Sequence, residues 1–284
     1  MAREDQSHVE AMIEVDAAEL SECGPRPINE DRVGSHVPDD GELRTRKGVL
    51  FVLADGVGGH QAGEVASELA VRTILDEYFS PSSHVRVEPA LQRAVQTANL
   101  RIYERGQRDS ALRSMETTVV ALALTETHAY VAHAGDSRVY HLHAGELRRL
   151  TNDHSEAAEL VRLRLVEADR LREHPRRNVL TRTLGSDLIV RPDFSRLALN
   201  QGDRFLLCSD GLWSELSDAE IAAVLGDSTP TAACRTLVDR ALARGSADNV
   251  SVQVVRVAAA IGDSGAERGP GWRSRLFVRQ VKAS

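Results

Sequence analysis

The chain has 284 residues, 42% hydrophobic and 27% charged, enough to bury the core of one large sandwich or barrel. A formal charge of −7 argues against a general nucleic-acid binder, and no apolar run approaches the ~20 residues of a membrane span. Cys23, Cys208 and Cys234 are widely spaced and form no C-x-x-C pair. With a polar N-terminus that lacks a signal core, they point to a reducing compartment, the cytoplasm.

In chain order, "VEAMIEV" alternates loosely and predicts a first strand. "GVLFVLA" is a short continuous apolar run, the pattern of a strand buried on both faces. Residues 62 to 79 set Val65, Leu69, Val71 and Ile74 among alanines, a helix with a narrow packing face. Residues 89 to 105 repeat the helical period through Leu91, Val95, Ala98 and Ile102, with Pro89 in the first turn. From Thr117 to Leu150 the period shortens to three or four strands, with turns at Glu126-Thr127, Gly135-Asp136 and Ala144-Gly145. His141 and His143 share one face there and read as solvent-facing alternation. Residues 155 to 172 predict a helix. "FSRLALNQGDRFLLCSD" predicts two strands, residues 217–225 and 230–243 two helices, and "NVSVQVVRV" a last strand. Strands and helices in blocks predict an α+β fold, antiparallel sheets flanked by helices. From about residue 261 the chain reads as a basic, linker-like tail. Arg268, Arg273, Arg275, Arg279 and Lys282 outweigh Asp263 and Glu267 there. Trp272, Leu276, Phe277 and Val278 would suit contact with an acidic partner or membrane surface, although a solvated extension is the simpler reading.

Carboxylates recur where strands end. Asp55 closes "VLFVLA", Asp210 closes "RFLLCS", Asp136 follows "YVAHAG", and Asp248 precedes "NVSVQVV". Asp31 ends an earlier "NED". Each alone reads equally well as a turn former or helix cap. Together, on neighbouring strands, they would crowd like charges that only cations relieve, and an oxygen-only donor set selects Mg²⁺ or Mn²⁺. The rival for "DGVGGHQAG" is a dinucleotide turn, but its third glycine would fall at Gln61 and a carboxylate there repels pyrophosphate. No P-loop, H-E-x-x-H or G-x-S-x-G pattern occurs.

The blocks "RPINEDR", "FVLADGVGGHQAGEVAS", "METTVVAL", "AHAGDSRVY", "LTNDHS", "NVLTRTLG", "GDRFLLCSDGLW" and "ADNVSVQVV" occur in that order between Arg26 and Val255, within a resemblance that spans about residues 8 to 258. In them the chain resembles the metal-dependent Ser/Thr protein phosphatase family (PPM, type 2C) in its compact bacterial form. The resemblance implies a four-layer α-β-β-α sandwich and a catalytic domain over residues 1–260, followed by the basic tail at 261–284. It also implies a hydrolase for phosphoserine and phosphothreonine in proteins, using a hydroxide that bridges two Mn²⁺ or Mg²⁺ ions. Asp55 would bridge both ions, with the Gly56 carbonyl on one. Asp210 and Asp248 would ligate directly, and Asp31 largely through water, with Glu30 beside it. Asp136 would share a third ion with Asp210. Arg26 would grip the substrate phosphate, and Asn249 would support Asp248. A bacterial Ser/Thr kinase would be the opposing partner, and the chain would act as a monomer. The alternatives are an inactive phosphoprotein-binding member of the family and a phosphatase of an anti-sigma-factor antagonist.

Departures from the family pattern are local. Val57 stands where many eukaryotic relatives carry a general-acid histidine, and His60 does not inherit that role. Glu116 replaces a usual glycine. Arg164-Leu165 replaces an Ala-Gly break, so a longer helix is expected in the flap.

Overall fold

A computed structural model describes residues 13–57, 61–80, 86–259 and 277–280. Strands β1 (Glu14–Glu22), β7 (Arg138–His143), β8 (Glu146–Arg149), β10 (Arg204–Cys208), β11 (Val250–Ala259) and β12 (Phe277–Gln280) form one sheet, ordered β12-β1-β11-β10-β7-β8. Strands β2 (Asp31–His36), β3 (Val49–Val57), β5 (Val119–Leu124), β6 (His128–Ala134) and β9 (Asp193–Ala198) form the other, ordered β2-β3-β5-β6-β9, with β4 (Glu116–Thr117) on the end of β3. Pairing is antiparallel except where β12, inside the sequence's basic tail, lies parallel to β1.

Period-two alternation explains the apolar runs. In β3, Leu50, Val52 and Ala54 face a core shared with helices α2 (Gln61–Tyr78) and α3 (Val87–Arg108). Val49, Phe51 and Leu53 face the core between the sheets. In β10, Leu206 and Cys208 meet helices α6 (Asp218–Asp227) and α7 (Pro230–Ala243), while Phe205 and Leu207 point inward. Both faces of each sheet are therefore covered, and polar alternation is lost in the central strands. Emptying one inward position, as in Phe51→Ala, would cost about 3–5 kcal/mol. The layers run helix, sheet, sheet, helix, as the family resemblance implies.

Several expectations shift in detail. The first strand, β1, takes in the last residues of "VEAMIEV", Glu14 and Val15, and runs on to Glu22; residues 9–12 of that segment lie outside the described residues, as do His60 and the tail apart from β12. Two short helices, α1 (Gly41–Lys47) and α5 (Asp210–Trp213), carry too few residues to show a period. The long helix expected over 155 to 172 is two pieces, α4 (Glu156–Arg162) and a 3-10 turn at Ala168–Glu173. The chain reverses at Arg164, whose φ is +60°. Arg164 N–H donates to Val161 O and Leu165 N–H to Leu160 O, both at 2.9 Å. This is the Schellman pair that normally has glycine at the left-handed position. The Arg164-Leu165 replacement thus keeps the break instead of lengthening the helix. All three cysteines are free, with Cys208 and Cys234 buried. Among the described residues no helix is long and apolar enough to cross a membrane.

Candidate active site

The strand ends bring the aspartates together. Asp31 opens β2 and lies opposite Asp55 near the end of β3 in the antiparallel register. Asp136 and Asp210 flank the paired ends of β7 and β10, and Asp248 precedes β11, the next strand. Buried backbone groups fix the positions. Asp55 N–H donates to Thr118 Oγ1 at 3.0 Å, and its carbonyl accepts from Thr118 N and Thr117 Oγ1, each at 2.8 Å. Gly135 holds φ +108°, where a Cβ would lie 2.5 Å from Thr118 Cβ, so only glycine lets the β6–β7 turn approach that threonine. At Gly56 a Cβ would meet the Gly63 carbonyl at 2.2 Å, so the first turn of α2 can press against the end of β3.

The electrostatics match a gathered cluster. Burial pushes the Asp55 carboxyl well above the usual carboxylate range, and the charges of Asp31, Asp210, Asp136 and Asp248 add to this. Asp210 rises to about 7, first by burial and then by Asp248 and Asp31; Arg177 and Arg26 oppose the rise. Asp31 rises to about 6 by burial, opposed by the Ser251 and Ser209 hydroxyls and reinforced by Asp248. Ser209 Oγ donates to Asp31 Oδ2 at 2.8 Å. Asp136 is raised by burial, then by Asp210 and Asp153, with Arg138 opposing. These carboxylates cannot all ionise at neutral pH unless cations join them. Asp210 Oδ1 is buried without a hydrogen-bond partner. An orphaned carboxylate oxygen in an all-oxygen donor set fits a hard divalent cation.

The other predicted residues sit close by. Arg26 Nη2 donates to Asp248 Oδ2 at 2.7 Å and Nε to Ala247 O at 2.9 Å, with about half its side chain (48%) exposed. Asn249 ties the arginine's loop to β11: its amide donates to Cys23 O and Ile28 O, and its Oδ1 accepts from Glu30 N. Glu30 O accepts from Gly56 N–H at 3.1 Å. Val57 pairs with Glu116 across β3 and β4. Glu116 Oε2 accepts from the Thr183 hydroxyl at 2.6 Å, so the carboxylate in place of a glycine pins the returning end of the flap.

Sequence reasoning missed several contributors. Arg177, between α4 and β9, reaches Asp210 with its charge, and nothing in the pattern "PRRNVL" distinguishes it from its neighbour. Trp213 Nε1 donates to Asp136 O at 2.9 Å, and the Arg138 guanidinium lies 3.6 Å above the Trp213 ring. Arg138 also forms a buried two-pronged pair with Asp153 at 2.9 and 2.6 Å. The sequence blocks "GDSR", "TND" and "GLW" are thus one support for Asp136.

Residues 29–246 match the family model of protein phosphatase 2C. A putative protein phosphatase 2C-type of Streptococcus pyogenes is 38% identical over 216 residues, 74% of this chain and 87% of that protein. The Mycobacterium tuberculosis serine/threonine phosphatase PstP/Ppp superposes with a TM-score of 0.78 at 31% identity, covering 87% of this chain and 100% of that one. The PstP catalytic domain in complex with two manganese ions gives 0.76 at 31% identity, covering 87% and 99%. With the aspartates gathered at one end of an α-β-β-α sandwich, the chain belongs to the protein phosphatase 2C family.

Proposed function

We propose that this Mn²⁺- or Mg²⁺-dependent Ser/Thr protein phosphatase works through Asp31, Asp55, Asp136, Asp210 and Asp248. The observation that carries the reading is the convergence of five aspartates at the strand ends, Asp31 and Asp136 buried and Asp210 Oδ1 left without a partner. Asp55, Asp210 and Asp248 would hold two ions, with the Gly56 carbonyl and Asp31 completing the set and Asp136 offering a third position. When bound, the ions supply a water acidic enough to ionise near neutrality.

The chain's own residues then position the substrate. Arg26, at the rim on Asp248, would turn its guanidinium fork to two phosphate oxygens. Arg177 adds positive charge from the flap side. Val57 has no proton to give, so the departing Ser or Thr oxygen would be protonated from solvent. Asn249, through the loop it ties, keeps Arg26 and Glu30 in place.

The substrates are phosphoproteins. A bacterial Ser/Thr kinase as the opposing partner, a cytoplasmic location and a monomeric state complete the proposal. Residues 1–260 would be the catalytic domain and residues 261–284 a basic appendage. Hydrolysis of a phosphothreonine peptide tests it. Activity should need Mn²⁺ or Mg²⁺, vanish in excess chelator and return when the ion is restored. Full turnover in chelator would refute it.

A further inference from the structure

The opposite end of the sandwich carries a different donor set. β7 and β10 are antiparallel, so the arrangement that puts Asp136 and Asp210 at one end puts His143 and Asp203 at the other. His141 and His143 are two residues apart on β7 and share its inward face. The alternation that reads as solvent-facing is therefore not so for His141, which is buried against Phe205 with ring centroids 4.7 Å apart and 17° between planes. His143 lies next along that face, its ring centroid 5.9 Å from that of His141 and its side chain half exposed.

Asp203 faces both imidazoles from the turn before β10. Its side chain is fully buried. Oδ1 lies 2.6 Å from His143 Nδ1, while Oδ2 accepts from Asn200 N at 2.8 Å and stands 3.2 Å from His141 Nε2. That last contact is out of line for a hydrogen bond, and His141 Nε2 is a buried ring nitrogen with no other partner. One donor atom from each of the three residues lies within 4.8 Å of the others. Burial raises the Asp203 carboxyl, but its polar neighbours more than offset this, and the net shift is downward.

The charged side chains adjacent in the chain and across the hairpin are engaged elsewhere. Arg204, next in sequence, turns to the other face of the sheet and donates to Leu225 O and Ser228 O. Glu146, across the β7–β8 hairpin from His143, is engaged by Arg148. A second His-His-Asp group, His133, His154 and Asp193, does not share this property. There Arg182 Nη1 donates to Asp193 Oδ1 at 2.7 Å and lies 2.9 Å from His154 Nε2, so a guanidinium already holds the cation's place.

We propose that His141, His143 and Asp203 form a three-ligand site for a borderline divalent transition metal of the zinc class. Imidazole nitrogens favour such a metal over Mg²⁺, and three protein ligands with a solvent-facing side leave a fourth position for water. Tetrahedral ligands at about 2.0–2.2 Å stand about 3.4 Å apart, a spacing within reach of these side chains by small torsional changes. The ion would clamp β7 to the turn that starts β10. It differs from the aspartate cluster in donor chemistry and in position.

Ring-nitrogen NMR spectra of the full chain, titrated with Zn²⁺ and separately with Mg²⁺, read the site residue by residue. Zn²⁺ alone should move the His141 and His143 signals saturably. His143→Ala, at a half-exposed position, should keep the fold, as unchanged His133 and His154 signals would show. Loss of an outer partner to a metal ligand costs roughly 10–100-fold in affinity; loss of the ligand itself should weaken Zn²⁺ binding at His141 by at least about tenfold. Signals that stay still, that move only at His133 and His154, or that respond equally at His141 in the variant would overturn the site. None of these outcomes bears on the aspartate cluster, which is read through activity.

Discussion

The aspartate end and the flap between residues 155 and 185 are held by different forces. Asp55, Asp136, Asp210 and Asp248 stand at or beside the end of a strand buried on both faces, Asp31 opens the half-buried β2 opposite Asp55, and backbone bonds such as Thr118 N to Asp55 O fix the cluster. The flap has one seven-residue helix and a 3-10 turn. Its ion pairs face water: Arg176 with Glu156 at 2.8 Å, Arg170 with Glu173 at 3.3 Å and Arg172 with Asp218 at 3.1 Å. Exposed pairs of this kind contribute about 0–1 kcal/mol each. The comparison teaches a division of labour. Core strands fix the clustered carboxylates, and the flap presents Arg177 on a scaffold that can change cheaply.

If that division is right, damage at the aspartate end should be the most severe. Asp55→Asn should lower kcat by at least about 10²–10³-fold while the protein stays folded, the scale of losing one preorganised electrostatic group. Initial rates at saturating Mn²⁺, with circular dichroism as the folding control, check this. The rim comes next. Arg26→Ala should raise KM for a phosphopeptide by about 10–100-fold, the worth of a charge-assisted hydrogen bond to phosphate. Arg177→Ala should raise it less, because the flap can rearrange. An unchanged KM in Arg26→Ala would break the assignment.

A stability measurement sharpens the same contrast without catalysis. An acid whose folded pKa exceeds its unfolded value stabilises the fold below the unfolded pKa and loses that contribution as pH rises through the folded one. For Asp210 the window runs from 3.8 to about 7. In chelator, Asp210→Asn should therefore gain on the wild type between pH 5 and pH 7.5, reaching roughly 1–2 kcal/mol. Mn²⁺ should reverse the order by stabilising only the intact site. Thermal melts at both pH values decide it. The smallest effect belongs to the flap. Arg164→Gly removes a side chain from a left-handed position and should stabilise the fold by about 0.5–1 kcal/mol, with little change in kcat.

Legibility in the sequence followed the same line. "GVLFVLA", "RFLLCS" and "NVSVQVV" announce strands because both of their faces are covered, and α7 begins and ends as its period indicates. Asp55, Asp210 and Asp248 are readable because each abuts such a run. β2, "DRVGSH", is only half-buried and carries no clear pattern. Residues 155 to 172 keep apolar residues at helical spacing, yet the chain turns at Arg164, where the pattern offers no glycine to mark the break. The support from Trp213, Arg138 and Asp153, like the partnership of Asp203 with His141 and His143, joins residues distant in the chain. Local spacing cannot reveal such pairs. Arg177 was illegible for the same reason: its role depends on where the flap returns.

The most direct test is to count bound Mn²⁺ by electron paramagnetic resonance while following phosphothreonine hydrolysis in the same samples. At least two ions should bind per chain, turnover should rise with their occupancy, and Asp55→Asn should lose both together. Turnover that proceeds without bound ions, or an Asp55→Asn chain that keeps its ions and its rate, would contradict the account.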